Sequence, residues 1–438
     1  MRRTVKHMTN GLTLCAKPGS VRALLRSGSI ALVALTFILP AARASAQTAL
    51  SEAVLVTSER DPGITALRHK VARRGVEIQA ARDERYPRIG LSADTATTST
   101  DGPGVTLTVS QMLFDWGRVS SNIAAASQDR IAAVAELKSG VEELSLDVSG
   151  YFIDVEVINR KITHTQEYLR FATRICDHAE ARARAGSGDL GEVARARLEV
   201  SRTEERLVQL QSDRKLALAQ LEFLMGRAPG ALRPAPDLAF LSRYSKSEAV
   251  ASAIRLAPKF IAAQAGAGRA EAEIQLARAA RLPSIRLQAQ VRGDLDRGRT
   301  RTSIGLSTGL DVGMGAITGR QMEAARLAAE AAKSNQEAVR RNLANAVRSA
   351  LESISVLRAR EASQGRQLSQ ATDVLSGYEA QFIAGQRQLI DLLTTGRDLY
   401  DAQIDRIATY EERKRAEYEA AFDLGVLGTL ILASTKGD

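Results

Sequence analysis

Residues 181–194, ARAGSGDLGEVARA, contain Gly186-x-Gly188-x-x-Gly191, the glycine spacing of a turn that cradles a dinucleotide pyrophosphate. That chemistry requires a strand before the glycines and a helix after them, so that the phosphates meet free N–H groups at a helix N-terminus. Other residues that could do chemistry are sparse. His7, His69, His164 and His178 have no metal-ligand spacing. Cys15 follows the bulky Leu14 with no apolar run before it, which does not suit a lipid acceptor. Cys176 alone can neither close an internal disulfide nor build a zinc site. No catalytic, cofactor or metal constellation is expected.

The elements around the glycines decide the matter. Residues 1–46 carry seven basic and no acidic residues, an apolar run Ile30–Leu39 and the small-residue sequence Ala44-Ser45-Ala46. This order reads as a secretory signal peptide cleaved near Ala46. Its removal lowers the formal charge from +10 to about +3, so the basic balance is no argument for a nucleic-acid partner.

The remaining chain is written twice. VEIQAARDERYPRIGL (76–91) and AEIQLARAARLPSIRL (272–287) agree at nine of sixteen positions with an offset of 196. The same offset pairs Ser51-Glu52-Ala53-Val54 with Ser247-Glu248-Ala249-Val250, and Pro62 with Pro258. Each half is expected to be one structural unit. No proline lies between Pro103 and Pro229 or after Pro283, which leaves two long stretches free to be helical. From Gly117 to Gly186 is about 70 residues, roughly 100 Å of helix, and Gly315 to Gly385 matches it. Val134, Leu137, Val141, Leu144, Val148, Tyr151, Val155, Ile158 and Ile162 step by threes and fours, which predicts a coiled-coil seam.

Each half also holds a segment of period two. Ile89, Leu91 and Ala93 alternate with polar or small residues, as do Val105, Leu107 and Val109 beyond the turn Asp101-Gly102-Pro103-Gly104. Ile285, Leu287, Ala289 and Val291, then Ile304, Leu306 and Leu310, repeat the pattern around DLDRGRT. Two hairpins of roughly ten-residue strands, apolar on one face, suit an outer-membrane barrel in a secreted protein; a soluble hairpin packed on the helices is the alternative. Four strands cannot close a barrel, and lipid tolerates no open edge, so closure calls for several copies. Three copies supply twelve strands.

With its helix–hairpin–helix unit written twice, the chain resembles the TolC-type outer-membrane efflux proteins. The resemblance rests on the junctions YPRI, LPSI and LFDWG (113–117) and on the helix breaks ARAGSGDLGEV (183–193) and FIAGQRQLIDLL (382–393). It covers about 48–430. It implies a mainly α protein with membrane β-strands: a homotrimer sharing a twelve-stranded barrel in outer-membrane lipid, continued by a periplasmic α-helical tunnel in a Gram-negative envelope. A periplasmic adaptor and an inner-membrane transporter of the ABC or RND class would dock on it. The corresponding boundaries are a first repeat at 47–226 with its hairpin at 88–115 and a linker at 227–246. A second repeat follows at 247–424 with its hairpin at 284–313, then a tail at 425–438. The linker and tail would form a belt around the tunnel.

The resemblance also implies an acid-lined aperture at the tunnel's inner end. Glu192 and Asp391 match by position, six residues after Gly186 and Gly385, and Arg387 matches a basic residue that holds the closed state in relatives. Thr394 stands where some members carry a second acid. Both acids would also complement the dipole of a returning helix, the plain structural alternative. Gly186, Gly188 and Gly385 mark the hairpin tips where an adaptor would dock. Trp116 is expected as a barrel-rim anchor or, equally, a core residue at a helix start.

On this reading the protein is a passive export duct, assigned to type I protein secretion over drug efflux because no acylation cysteine is present. A periplasmic coiled-coil scaffold is the rival from another class. The dinucleotide reading fails on context, because the glycines follow helix-compatible sequence and their counterpart Gly385-Gln-Arg-Gln-Leu-Ile keeps only the first. The glycines are expected to turn a long helix back on itself.

Overall fold

The computed structural model describes residues 47–94, 103–296, 298–309 and 319–434. The expected signal peptide 1–46, Asp101 and Gly102 of the expected turn, Leu310 of the expected strand, Gly315 and the last four residues lie outside the described residues.

The first repeat opens with α1 (Leu50–Arg60) and α2 (Pro62–Asp83). A single expected helix is split here, because Pro62 occupies the first position of α2 and Asp61 caps it by accepting from Ile64 N at 2.8 Å. Strands β1 (Arg88–Asp94) and β2 (Gly104–Phe114) follow. Then α3 (Arg118–Arg184) runs unbroken for 67 residues and α4 (Leu190–Met225) returns. In the linker only α5 (Phe240–Arg243) is helical.

The second repeat replays the order with α6 (Ser247–Leu256), α7 (Pro258–Ala279), β3 (Ser284–Asp294), β4 (Thr300–Gly309), α8 (Arg320–Ile383) and α9 (Leu389–Asp423). It ends in α10 (Leu427–Ser434), a short helix within the expected tail. The first long helix starts as forecast, with Gly117 left-handed at φ 85° and Asp115 accepting from Gly117 N at 3.0 Å and Val119 N at 2.7 Å. The second starts after Gly319, φ 73°.

The strands form one antiparallel sheet in the order β1-β2-β3-β4, so β2 and β3 join the two repeats. Register places Ile89, Val109, Ala289 and Ile304 in one row across it, and Leu91, Leu107 and Val291 in the next. These side chains share a face, and Ile89, Leu91, Ile304 and Leu306 are strongly exposed. The outer edges of β1 and β4 have no partner strand among the described residues.

Near the strands α3 is flanked by α2 and α7, with α8 beyond α7; nearer the tips α3 lies between α4 and α9, with α8 beyond α9. The main apolar core sits at mid-height, where Phe152, Leu221, Phe240, Ile354, Tyr418 and Leu427 meet. The linker is stitched there by buried charge. Glu156 accepts from Tyr410 Oη at 2.6 Å, Lys414 Nζ at 3.2 Å and Ala235 N at 3.2 Å, and Lys414 also donates to the Ala235 carbonyl.

The heptad seam is only half realised. Val148 and Val155 are buried, but Val134 is exposed, while Ser145, Ser149, Phe152, Ile153 and Val157 are buried outside it. A helix with packed neighbours on both sides buries two stripes, and one period of 3.5 describes only one of them. No helix among the described residues is long and apolar enough to cross a membrane.

Candidate functional site

The two helix reversals form alike. Helix α3 ends with Gly186 at φ 74°, Ser187 N donating to Arg182 O at 2.9 Å and Gly186 N to Ala183 O at 3.1 Å. Helix α8 ends with Gly385 at φ 76°, Gln386 N donating to Gln381 O at 2.9 Å and Gly385 N to Phe382 O at 3.0 Å. Both are glycine-terminated Schellman turns, which satisfy the last carbonyls of a helix through a residue in the left-handed region. The glycines that fit the dinucleotide spacing therefore follow a 67-residue helix. Gly188 has a steric role, since a Cβ there would lie 2.9 Å from Ala183 N.

Glu192 and Asp391 sit in the first turns of α4 and α9, as their positions required. Their surroundings differ. Asp189 caps α4 by accepting from Gly191 N at 3.1 Å, and Glu192 is half-buried with no ion pair among the described residues. Asp391 lies 3.6 Å from Arg387 Nη1. Arg387 also stacks its guanidinium 3.6 Å from the Tyr378 ring centroid and donates from Nε to Gln381 Oε1 at 2.9 Å. Arg387 thus braces its own turn and makes no hydrogen bond or ion pair with Glu192. Arg182, Arg184 and Arg195 share the first tip, so its charge is mixed.

An apolar cluster joins the two tips within one chain: Ile175, Ala179, Val193, Phe382, Leu389 and Leu392 are all buried together. Just above it lies a polar cluster that sequence reasoning missed. Glu199 of α4 is buried and receives Arg397 of α9 through Nε at 3.2 Å and through Nη2. Tyr168 of α3 donates to Glu199 Oε1 at 2.8 Å, stacks on Tyr400 at 4.8 Å and has its hydroxyl pushed well above the usual range by burial and by that carboxylate. Thr165 and Tyr400 share a hydrogen bond of 3.0 Å. The group borders a cleft of 380 Å³ that also exposes Arg202, Arg206 and Asp401. One signal could have found it. Gly186 and Gly385 set an offset of 199 for the returning helices, which places Leu198 opposite Arg397 and Leu216 opposite Arg415. Of the three arginines that replace a leucine there, Arg397 pairs with Glu199 and Arg415 with Asp154 at 2.5 Å, while Arg406, aligned with Leu207, makes no ion pair among the described residues.

Trp116 lies at the strand-to-helix junction, half-exposed, with φ 58°. Its Nε1 donates to the Pro283 carbonyl at 2.9 Å, and its ring meets Phe114 edge-on at 4.8 Å, so it ties the two repeats together beneath the sheet. Cys176 is buried beside the tips, and no group of residues that could hold a metal ion occurs among the described residues.

Comparison with known proteins matches both repeats to one family model, described as outer membrane efflux protein, over residues 56–227 and 249–420. The outer membrane efflux protein BepC of Brucella suis is 25% identical over 408 residues, 88% of each chain. Protein CyaE of Bordetella pertussis is 26% identical over 272 residues, 58% of this chain and 55% of that one. Among solved structures, the outer membrane protein VceC from Vibrio cholerae superposes with a TM-score of 0.72 at 17% identity, covering 86% of this chain and 96% of that one.

Proposed function

The chain belongs to the outer membrane efflux protein family, and from that premise we propose that this outer-membrane channel works as a passive homotrimeric export duct. In this reading three four-stranded sheets close one barrel, the helices continue it as a periplasmic tunnel, and a periplasmic adaptor and an inner-membrane transporter supply the energy.

The observation that carries the trimer is a mismatch between the repeats. Helix α9 is packed on both sides, against α8 of its own repeat and α3 of the other, whereas α4 packs closely only on α3. Ile407 of α9 is 6% exposed, but its counterpart Val208 in α4 is 62% exposed. Leu190, Leu198, Leu216 and Phe223 continue that exposed stripe on one face of α4. The complementary surface is bare too. Val157 and Ile175 of α3 are 2% and 0% exposed, against 64% and 46% for their counterparts Val356 and Val374 in α8. Repeat symmetry therefore seats α4 on α8 of a second copy, as α9 sits on α3, and lets the free edge of β4 pair with β1 of that copy.

The register of that contact follows from Tyr410 and Glu156, hydrogen-bonded at 2.6 Å. Their counterparts are Gln211 and Ser355. Gln211→Cys combined with Ser355→Cys is expected to cross-link copies into a closed trimer in the outer membrane. Monomers alone under oxidising conditions, with the protein in the aqueous periplasmic fraction, would return the chain to a scaffold.

At the inner end, Glu192, Arg387 and Asp391 serve as the aperture in this reading, with Gly186, Gly188 and Gly385 at the adaptor-facing tips and Trp116 at the barrel rim. For the cargo we assign type I protein secretion with an ABC transporter. Co-purification of an ABC exporter with the cross-linked protein is expected; an RND pump in its place would make drug efflux the function.

A further inference from the structure

The internal repeat also contrasts two grooves at the level of the main core. In the first repeat the groove between α1 and α3 is filled by α10. Leu427, Leu430 and Ile431 join Leu50, Val54, Val148 and Phe152 in the main core, and Gly428 N donates to Glu142 Oε2 at 3.0 Å. The buried Glu142 carboxylate thus receives the N-terminus of that helix, and burial holds its pKa above the ordinary value.

The corresponding groove of the second repeat, between α6 and α8, is an open cleft of 520 Å³. Its apolar lining is Val250, Ile254, Phe260, Ala344, Val347 and Leu351. Val250 stands where the first repeat has Val54, and Ala344 and Leu351 stand where it has Ser145 and Phe152. The first-repeat residues are buried, whereas Val250, Ala344 and Leu351 remain partly exposed. The apolar lining lies on a different face of α8 from Val356, so α4 of a second copy seated there would border the cleft at Glu352 rather than fill it. The linker follows α4 as α10 follows α9, but its one short helix, α5, leads into Tyr244 and Ser245 at the border of the cleft and does not fill it. Pro229, Pro234 and Pro236 interrupt the linker, and it is held on its own chain by Thr48 N to Ala231 O at 2.8 Å and Arg233 N to Thr48 O at 3.1 Å.

Charge selects the occupant. At the repeat position of the buried Glu142 stands Arg341, which is exposed and not itself part of the cleft lining. The cleft rim carries Arg255, Arg340 and Arg348 against Glu352, and Glu337 pairs with Arg340 at 2.5 Å. Guanidinium groups around the rim suit a helix C-terminus and side-chain carboxylates. We propose that this cleft docks a short amphipathic helix of a partner protein, apolar on one face and acidic towards its C-terminal end. The mode is helix-in-groove, as for α10 in the first repeat but with the opposite chain direction, since α10 presents its N-terminus to Glu142.

The test uses the full-length, detergent-extracted protein and two fluorescent peptides of about 14 residues, roughly 20 Å as a helix. Both carry the same leucine face; one ends in glutamates with a free carboxylate, the other in lysines with an amide. Saturable binding of the acidic peptide, at least about tenfold tighter than the basic one, is expected. Ala344→Glu should abolish it, and Arg348→Glu, an exposed position that leaves the fold intact, should erase the preference. Equal binding of the two peptides, or acidic-peptide binding indifferent to both substitutions, overturns the proposal. A cysteine probe, Val250→Cys, should label freely with maleimide and be shielded by the acidic peptide. If it is instead blocked and cross-links to a neighbouring copy, the cleft is a subunit contact and the proposal falls. Channel conductance is unaffected by any of these outcomes, so the duct reading is tested separately.

Discussion

Glu199 is the carboxylate on which three helices converge, and its value is easiest to see by removing its partner. Arg397→Leu reproduces the residue that the other repeat carries at this place, yet it leaves Glu199 buried with only Tyr168 to satisfy it. Because the arginine is itself partly exposed, the expected cost is about 1–3 kcal/mol, read as a lowered melting temperature of the helical signal. Adding Glu199→Gln should recover most of it; no recovery would assign the loss to packing. At the tips, the combined change Glu192→Gln and Asp391→Asn should alter single-channel conductance or cation preference in planar bilayers. Unchanged values would leave both acids as helix-dipole partners worth some tenths of a kcal/mol each. At mid-height, burial alone would raise the pKa of Glu156, but the Tyr410 hydroxyl and Lys414 ammonium pull it below its ordinary 4.5. A depressed carboxylate contributes stability above its unfolded pKa and loses it as pH falls through that region. Acidification below about pH 4.5 should therefore destabilise the protein more than it destabilises Glu156→Gln. Sequence made the tip residues visible because they sit next to glycine signals. It hid Glu199, Tyr168 and Arg397 because their meeting depends on the azimuth of three separate helices, which no one-dimensional spacing encodes.

Among the elements, the long helices, both hairpins and the glycine reversals were readable from proline absence, period and turn residues. The splits at Asp61-Pro62 and Ala257-Pro258 were announced by the prolines and still merged into one expected helix each. What stayed hidden was the second buried stripe of α3, since a helix wedged between two others needs small residues as much as large ones. Gly396 is the clearest case: a Cβ there would lie 2.3 Å from Phe171 Cε1, so α9 approaches α3 through an absent side chain. Gly396→Ala gains helix propensity but overpacks this contact, and a net loss of about 1–3 kcal/mol is expected. Adding Phe171→Leu should return part of it. A melting temperature at or above that of the parent protein would show the helices free to separate.

For the whole molecule, the duplication carries most of the functional argument, because each repeat is a control for the other. Residues buried in one copy and bare in the other, such as Ile407 against Val208, are the surfaces that the proposed trimer would cover with another copy. Val208→Glu, placed on the exposed stripe of α4, should leave the helical content of the chain intact and reduce the yield of assembled trimer in the outer membrane. A trimer yield equal to that of the parent protein would place the subunit contact elsewhere. The open edges of β1 and β4 and the bare face of their sheet carry a kinetic consequence as well. A lone folded chain exposes unpaired strand edges and an apolar sheet face, which leave it open to proteolysis, so its lifetime before productive encounter is a hazard. Encounter is bimolecular and slows with dilution, whereas loss to proteolysis is first order. Expression level should then set the fraction of newly made chains that survive, with yield falling faster than dose when synthesis is throttled.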